Sequence, residues 1–199
     1  VRHARLYEHL VKEVPPALRR AGLKPNHCVL ASRLGVELLR HYGVRARAVA
    51  TDLTVLNSPY SEAVIREESF DVKQAEEDGA WAIWVSRHDQ GDLGHVVIVA
   101  DERVLLDLTA HQANRPKKQI HAEAFWHESP EFARGERTVL RTDDDCVWIY
   151  EPRPDDRDFV RAPAWSAFRV STRAGYVISE RSGLVEPGFV AAEVKVPLL

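Results

Sequence analysis

The sequence contains no methionine, two cysteines and ten glycines, and none of its apolar runs is long. Two thiols, Cys28 and Cys146, cannot build the multi-bridge framework that staples small secreted domains, so free thiols in a reducing, cytoplasmic setting are expected. The first residues do not read as a secretory segment, because Val1–Ala21 is charged and interrupted by Pro15-Pro16. A chain opening at Val1 without methionine leaves room for an initiator or a longer leader upstream. The longest apolar stretches, His95–Ala100 and Val104–Leu108, are strand-sized and far short of the roughly 18 residues of a membrane span. No sign of charge dominates either. With 27 basic and 30 acidic residues the net charge is −3, so neither a nucleic-acid partner nor an anionic membrane is expected.

What is present is a foldable chain of 199 residues, 45% hydrophobic, which excludes disorder as its main state. It suits one domain with an appendage, and no internal repeat or low-complexity segment divides it. Leu6–Val14 has helical periodicity, Pro15-Pro16 is expected to end that helix, and Pro16–Ala21 to form a second short one closed by Gly22. A strong helix is expected from Cys28 to Tyr42, stopped by Gly43. Strands are expected at Val44–Val55, Ala80–Ser86, His95–Ala100, Val104–Thr109, Arg137–Arg141 and Cys146–Tyr150, with a short helix at Gln119–His127. Asn57–Gly79, polar and rich in glutamate, reads as an insertion or lid. The pattern is α+β, a helix followed by an antiparallel meander over residues 1–150. Residues 151–199 form a β-rich C-terminal appendage packed on the same domain, entered through the Pro- and charge-rich Glu151–Asp158.

On a helical wheel, Arg33, Glu37 and Arg40 mark the solvated side of the Cys28 helix, while Cys28, Ala31, Ser32 and Gly35 form a small inward stripe. A glycine inside a helix costs on the order of 1 kcal/mol relative to alanine, so this stripe implies close approach of another backbone, most simply a sheet packed across the helix. Cys28 would stand in the first turn, where unpaired N–H groups and the helix dipole favour a thiolate and can hold an oxyanion. The same residue also fits a buried core cysteine. Cys146, between Asp145 and Val147, reads as packing.

A nucleophilic thiol needs a base, and the base needs an orienting acceptor. His95 opens an apolar strand directly after Gly91-Asp92-Leu93-Gly94, and Asp107 sits inside the next apolar strand, where an ionised carboxylate demands a partner. Strand register decides whether they meet. A two-residue turn at Asp101-Glu102 would send His95 and Asp107 to opposite faces, whereas an odd-length loop or a bulge puts them on one face.

Taken in chain order, three features resemble the transglutaminase-like branch of the papain-like cysteine-enzyme superfamily. They are Cys28 at a helix start, Gly94-His95-Val96-Val97 on a strand, and Leu105-Leu106-Asp107-Leu108-Thr109 on the next. The run from Asp107 through Thr109-Ala110 to Gln112 is similar to the Asp-x-Thr-Ala-x-Gln sequence of bacterial papain-fold domains. The stretch Leu38-Leu39-Arg40-His41-Tyr42-Gly43-Val44-Arg45-Ala46 resembles the family's link from cysteine helix to first strand. The resemblance covers Pro25–Gln112 and implies a papain-like core with Cys28 as nucleophile, His95 as general base and then acid, and Asp107 as orienter. With no Gln upstream of Cys28, the expected oxyanion or substrate-binding groups are the Cys28 N–H with Asn26, His27 or Gln112.

The implied activity is cysteine-dependent acyl transfer to water or an amine, on a peptide, amide or small acyl substrate, with no cofactor. One alternative is a papain-fold binding or structural domain without chemistry. A second is a zinc hydrolase built on Cys28, His95 and Asp107, although no Cys-x-x-Cys or His-x-x-x-His spacing accompanies it. His111 and Gln112 read equally as cleft lining or exposed loop. Trp81 and Trp84 read as core or cleft wall, Asp143-Asp144-Asp145 as a hairpin turn, and Lys117-Lys118 as a solvated pair.

Overall fold

The computed structural model describes residues 2–20, 27–65, 77–86, 94–143, 145–162, 165, 168–171, 176–180 and 192–194. Its class is α+β, a curled antiparallel sheet with a few helices. Helix α1 spans Ala4–Arg20 and α2 Cys28–His41; β1 is Ala46–Leu56, α3 Ser58–Ile65, β2 Ala82–Val85, β3 His95–Ala100 and β4 Val104–Asp107. Then follow β5 (Phe125–Glu128), the short α4 (Pro130–Ala133), β6 (Thr138–Arg141) and β7 (Val147–Arg153). Strands run in the order β5-β4-β3-β1-β7-β6, and β2 also pairs with β1. Within the expected appendage, β8 (Phe168–Ser171), β9 (Tyr176–Glu180) and β10 (Ala192–Val194) make a separate three-stranded antiparallel sheet. Strand β7 runs on to Arg153, across the expected boundary after residue 150.

Alternation along β1 separates two cores. Ala46, Ala48 and Ala50 face α1 and α2 together with Val96, Ile98 and Leu106, whereas Val49, Leu53 and Val55 face the other way with Val97, Val99 and Leu105. That second face is the inside of the curl. Phe125 of β5 meets Trp148 of β7 at 5.7 Å between ring centroids, although three strands separate β5 from β7.

Helix α2 lies along β3, and its small stripe explains how. A Cβ on Gly35 would collide with Ile98 Cδ1 and stand 2.8 Å from Leu108 Cδ1, so the close neighbours are side chains and not the expected backbone. Ser32 Oγ donates to the Val96 carbonyl at 2.9 Å and fixes the helix start over the first residues of β3. The helix stops in a Schellman turn: Gly43, at φ +74, donates to Arg40 O at 3.0 Å, and Val44 donates to Leu39 O at 3.0 Å.

Two expectations give way. The Pro15-Pro16 break does not occur: α1 continues through both prolines, because Val14, Ala17 and Leu18 extend the buried stripe of Leu6, Tyr7 and Leu10. That packing offsets a cost of about 3 kcal/mol for each interior proline. The helix expected at Gln119–His127 is instead an extended segment leading into β5, with Ile120 and Ala122 buried alternately and Phe125–Glu128 paired to β4. Its period is two.

Candidate active site

The β3–β4 connection is the three-residue turn Asp101-Glu102-Arg103, in which Asp101 and Glu102 take left-handed φ values of 50° and 54°. The odd loop sets the register Ile98↔Leu106, Val99↔Leu105, Ala100↔Val104. Asp107 therefore stands on the same face as His95, two positions away diagonally. His95 Nε2 donates to Asp107 Oδ2 at 2.7 Å.

Asp107 has no exposed surface and is fully supplied with donors. Tyr150 of β7 donates its hydroxyl to Oδ2 at 2.9 Å, and Thr109 donates its N–H and hydroxyl to Oδ1 at 2.9 and 3.3 Å. Burial pushes this carboxyl up, but His95 and the Thr109 and Tyr150 hydrogen bonds outweigh it and hold Asp107 below the usual carboxylate range. Burial likewise opposes charge on His95, yet the Asp107 carboxylate and the hydrogen-bonded Cys28 thiol raise its pKa to about 10. Tyr150, buried against the same carboxylate, is pushed well above its ordinary value.

Cys28 is the first residue of α2, and its thiol is a hydrogen-bond partner of His95. Because Nε2 is committed to Asp107, Nδ1 is the ring nitrogen that faces sulfur. The N-cap residue of α2, His27, makes no side-chain capping hydrogen bond to the first N–H groups of the helix.

The structure thus brings Cys28, His95 and Asp107 together. His27 occupies the N-cap position of α2 at φ −110 and ψ 24. Burial lowers its pKa, as does the neighbouring His111. His111 follows Asp107 in the 3-10 turn Ala110–Ala113; burial and the Arg19 charge lower its pKa, Asp107 opposing them. Its Nδ1 is buried without a hydrogen-bond partner. Gln112, half-buried in that turn, is fixed through its backbone, its N–H donating to Thr109 O at 2.8 Å. Asn26 lies outside the described residues.

Sequence reading missed Tyr150. It alternates correctly as a core residue of its strand, and only the curl of the sheet carries its hydroxyl to Asp107. Two minor readings are narrowed as well. Trp84 is 62% exposed, which excludes core and leaves cleft wall, and Lys118, exposed as expected, places its Nζ 4.1 Å from the centroid of the Trp81 ring. Cys146 is wholly buried, with Sγ 3.2 Å from the Gln119 carbonyl oxygen, as a packing residue should be.

A zinc site on the triad fits the geometry poorly. Two donors on one tetrahedral zinc stand more than about 3 Å apart, whereas His95 and Asp107 bond each other directly at 2.7 Å. Among the described residues no group of three or more His, Cys, Asp or Glu side chains is arranged to hold a metal ion, and no helix is long and apolar enough to cross a membrane. In comparisons with protein-family models, curated proteins and solved structures, none matches this chain.

Proposed function

We propose that this protein is a cysteine-dependent acyl-transfer enzyme of the papain-like, transglutaminase-like kind, using Cys28, His95 and Asp107. The observation that carries the reading is the buried imidazole of His95, held between a thiol at a helix start and a carboxylate with no exposed surface. Such an arrangement is costly in a structural core, because two ionisable groups lose their water. It suits catalysis, because each pair of neighbours stabilises the charge the reaction needs.

In this mechanism the proton shared by Cys28 and His95 rests on Nδ1 of the imidazole, whose pKa is raised to about 10, and sulfur attacks the carbonyl carbon of an amide or ester. Charge on the carbonyl oxygen gathers at the Cys28 N–H at the start of α2, where the dipole favours it. His95 then protonates the leaving amine or alcohol as the carbonyl re-forms, leaving an acyl-thioester. Water or an amine attacks that thioester while His95 takes up its proton and shares it again with the departing sulfur. Asp107 keeps Nε2 protonated and the ring in plane throughout, and stabilises the imidazolium. Hydrolysis and transfer share every group and differ in the second nucleophile.

Alkylation with iodoacetamide at pH 6, followed by mass spectrometry of both thiols, tests the reading. Cys28 should react at least about tenfold faster than free glutathione, and His95→Ala should remove that excess. Equally slow labelling of Cys28 and Cys146 would leave a papain-fold binding or structural domain without chemistry.

A further inference from the structure

A cavity of about 480 Å³ opens at the end of β3 opposite to His95, lined by Arg2, His3, Gly43, Arg45, Asp101 and Arg103. Ala46 pairs with Ala100 at this end and Thr51 with His95 at the other, so about 17 Å of strand separates the cavity from the imidazole. Three segments form its walls. Arg2 and His3 precede α1, Gly43 and Arg45 lie on the link from α2 to β1, and Asp101 and Arg103 belong to the β3–β4 turn. Hydrogen bonds lock these segments together: Asp101 donates its N–H to Arg45 O at 2.8 Å, and Tyr7 of α1 donates its hydroxyl to Asp101 Oδ2 at 3.0 Å.

Charge at this cavity runs against that of the chain. The protein carries a net −3, yet the lining holds three arginines and a single carboxylate. That carboxylate is already engaged by Tyr7, and His3 Nε2 stands 3.9 Å from the same oxygen. Among the described residues, neither Arg2 nor Arg45 has a hydrogen-bond or ion-pair partner for its guanidinium. Arg103 pairs with Glu128 through one nitrogen, which leaves N–H groups of its guanidinium for a second partner. Like charges gathered around a hollow repel one another, and an anion seated between them turns that repulsion into attraction.

We propose that this cavity binds a small phosphorylated anion, a phosphate monoester or a diphosphate, with Arg2, Arg45 and Arg103 as its cationic walls. The inference is independent of the acyl-transfer reading and adds a second site. Two observations select phosphate over carboxylate. A dianionic phosphoryl group matches the surplus of two positive charges that three arginines hold over one aspartate, and its three oxygens suit guanidinium forks arriving from three segments. The volume falls within the range of small-molecule sites, about 300–1,000 Å³, and exceeds what one free phosphate fills.

Isothermal titration calorimetry of the intact chain with pyrophosphate, ribose 5-phosphate and acetate, at constant ionic strength, tests this. One phosphorylated probe should bind at least about tenfold more tightly than acetate, and the tighter of the two identifies the ligand as diphosphate or monoester. Arg45→Ala and Arg103→Ala, both at exposed positions, should each weaken that binding about tenfold. Asp101→Asn removes the one opposing charge at a left-handed position that asparagine tolerates, and should tighten it. Arg141→Ala, at an exposed position on β6, should change nothing. Absence of binding by either phosphorylated probe up to about 10 mM, or acetate bound as tightly, would overturn the inference. An Arg141→Ala loss equal to that of Arg45→Ala would overturn it as well, by showing attraction to surface charge in general. Each of these failures leaves the reactivity of Cys28, and with it the acyl-transfer reading, untouched.

Discussion

Asp107 illustrates what a buried charge requires of its neighbours. Each carboxylate oxygen takes two donors, from His95 and Tyr150 on one side and from the two Thr109 groups on the other. Removing a donor from a buried, charged acceptor costs more than a neutral hydrogen bond is worth, typically about 1.5–3 kcal/mol. Tyr150→Phe keeps the ring packed against Phe125 and Phe132 and deletes one donor. It should lower the urea midpoint by that amount of stability without changing the denaturant slope. At this scale the sequence displayed half of the arrangement. An aspartate between two leucines in an apolar strand advertises its need for a partner, and a histidine at the mouth of the preceding strand supplies one. Tyr150, 43 residues further along, carries no mark that separates it from other core aromatics, since its contact depends on sheet curvature.

The elements show where local pattern was enough and where packing overruled it. Helix α2 was legible to within a residue or two, because its closing Gly43, its period and its small stripe all agree. Helix α1 was not, because proline is read locally as a stop while the stripe that carries the helix past it is a tertiary fact. The helix expected before β5 failed for a related reason: its few apolar residues fit both periods, and pairing with β4 chose the strand. Gly35 joins the two levels. Alanine there should gain about 1 kcal/mol of helix propensity. Its Cβ, however, would press on Ile98 Cδ1 and Leu108 Cδ1, both in the fully packed core. Overpacking of this kind costs about 1–3 kcal/mol, so Gly35→Ala should destabilise the protein on balance. Ile98→Val, which deletes one of the offending methyl groups, should cost less in the Gly35→Ala background than alone. A double-mutant cycle by chemical denaturation reads that coupling.

For the whole molecule, the buried pair sets how stability follows pH. The folded pKa of His95, about 10, lies above its ordinary 6.5, so its contribution is complete below pH 6.5 and is lost as pH rises toward 10. Asp107 is depressed below its ordinary 3.8, so its contribution is complete above that value and is lost as pH falls through the folded pKa. Tyr7 and Tyr150, both raised, add a further loss above pH 10, where the unfolded chain ionises first. Unfolding free energy should therefore be greatest between about pH 4 and 6.5 and decline steadily through alkaline pH. Asp107→Asn should flatten the decline above pH 6.5, which urea titrations across the range will show. The curl that makes this pair possible joins β4 to β7 across two intervening strands, a consequence of the whole sheet that no window of sequence contains.

The turn Asp101-Glu102-Arg103 has a consequence of its own. Its odd count is arithmetic, independent of any side chain, and it alone keeps carboxylate and imidazole in phase. Loss of a single codon there would preserve a hairpin of the same apolar composition while rotating Asp107 outward toward the helices. The proposed chemistry would thus be extinguished by a deletion that leaves the hydrophobic pattern of both strands untouched.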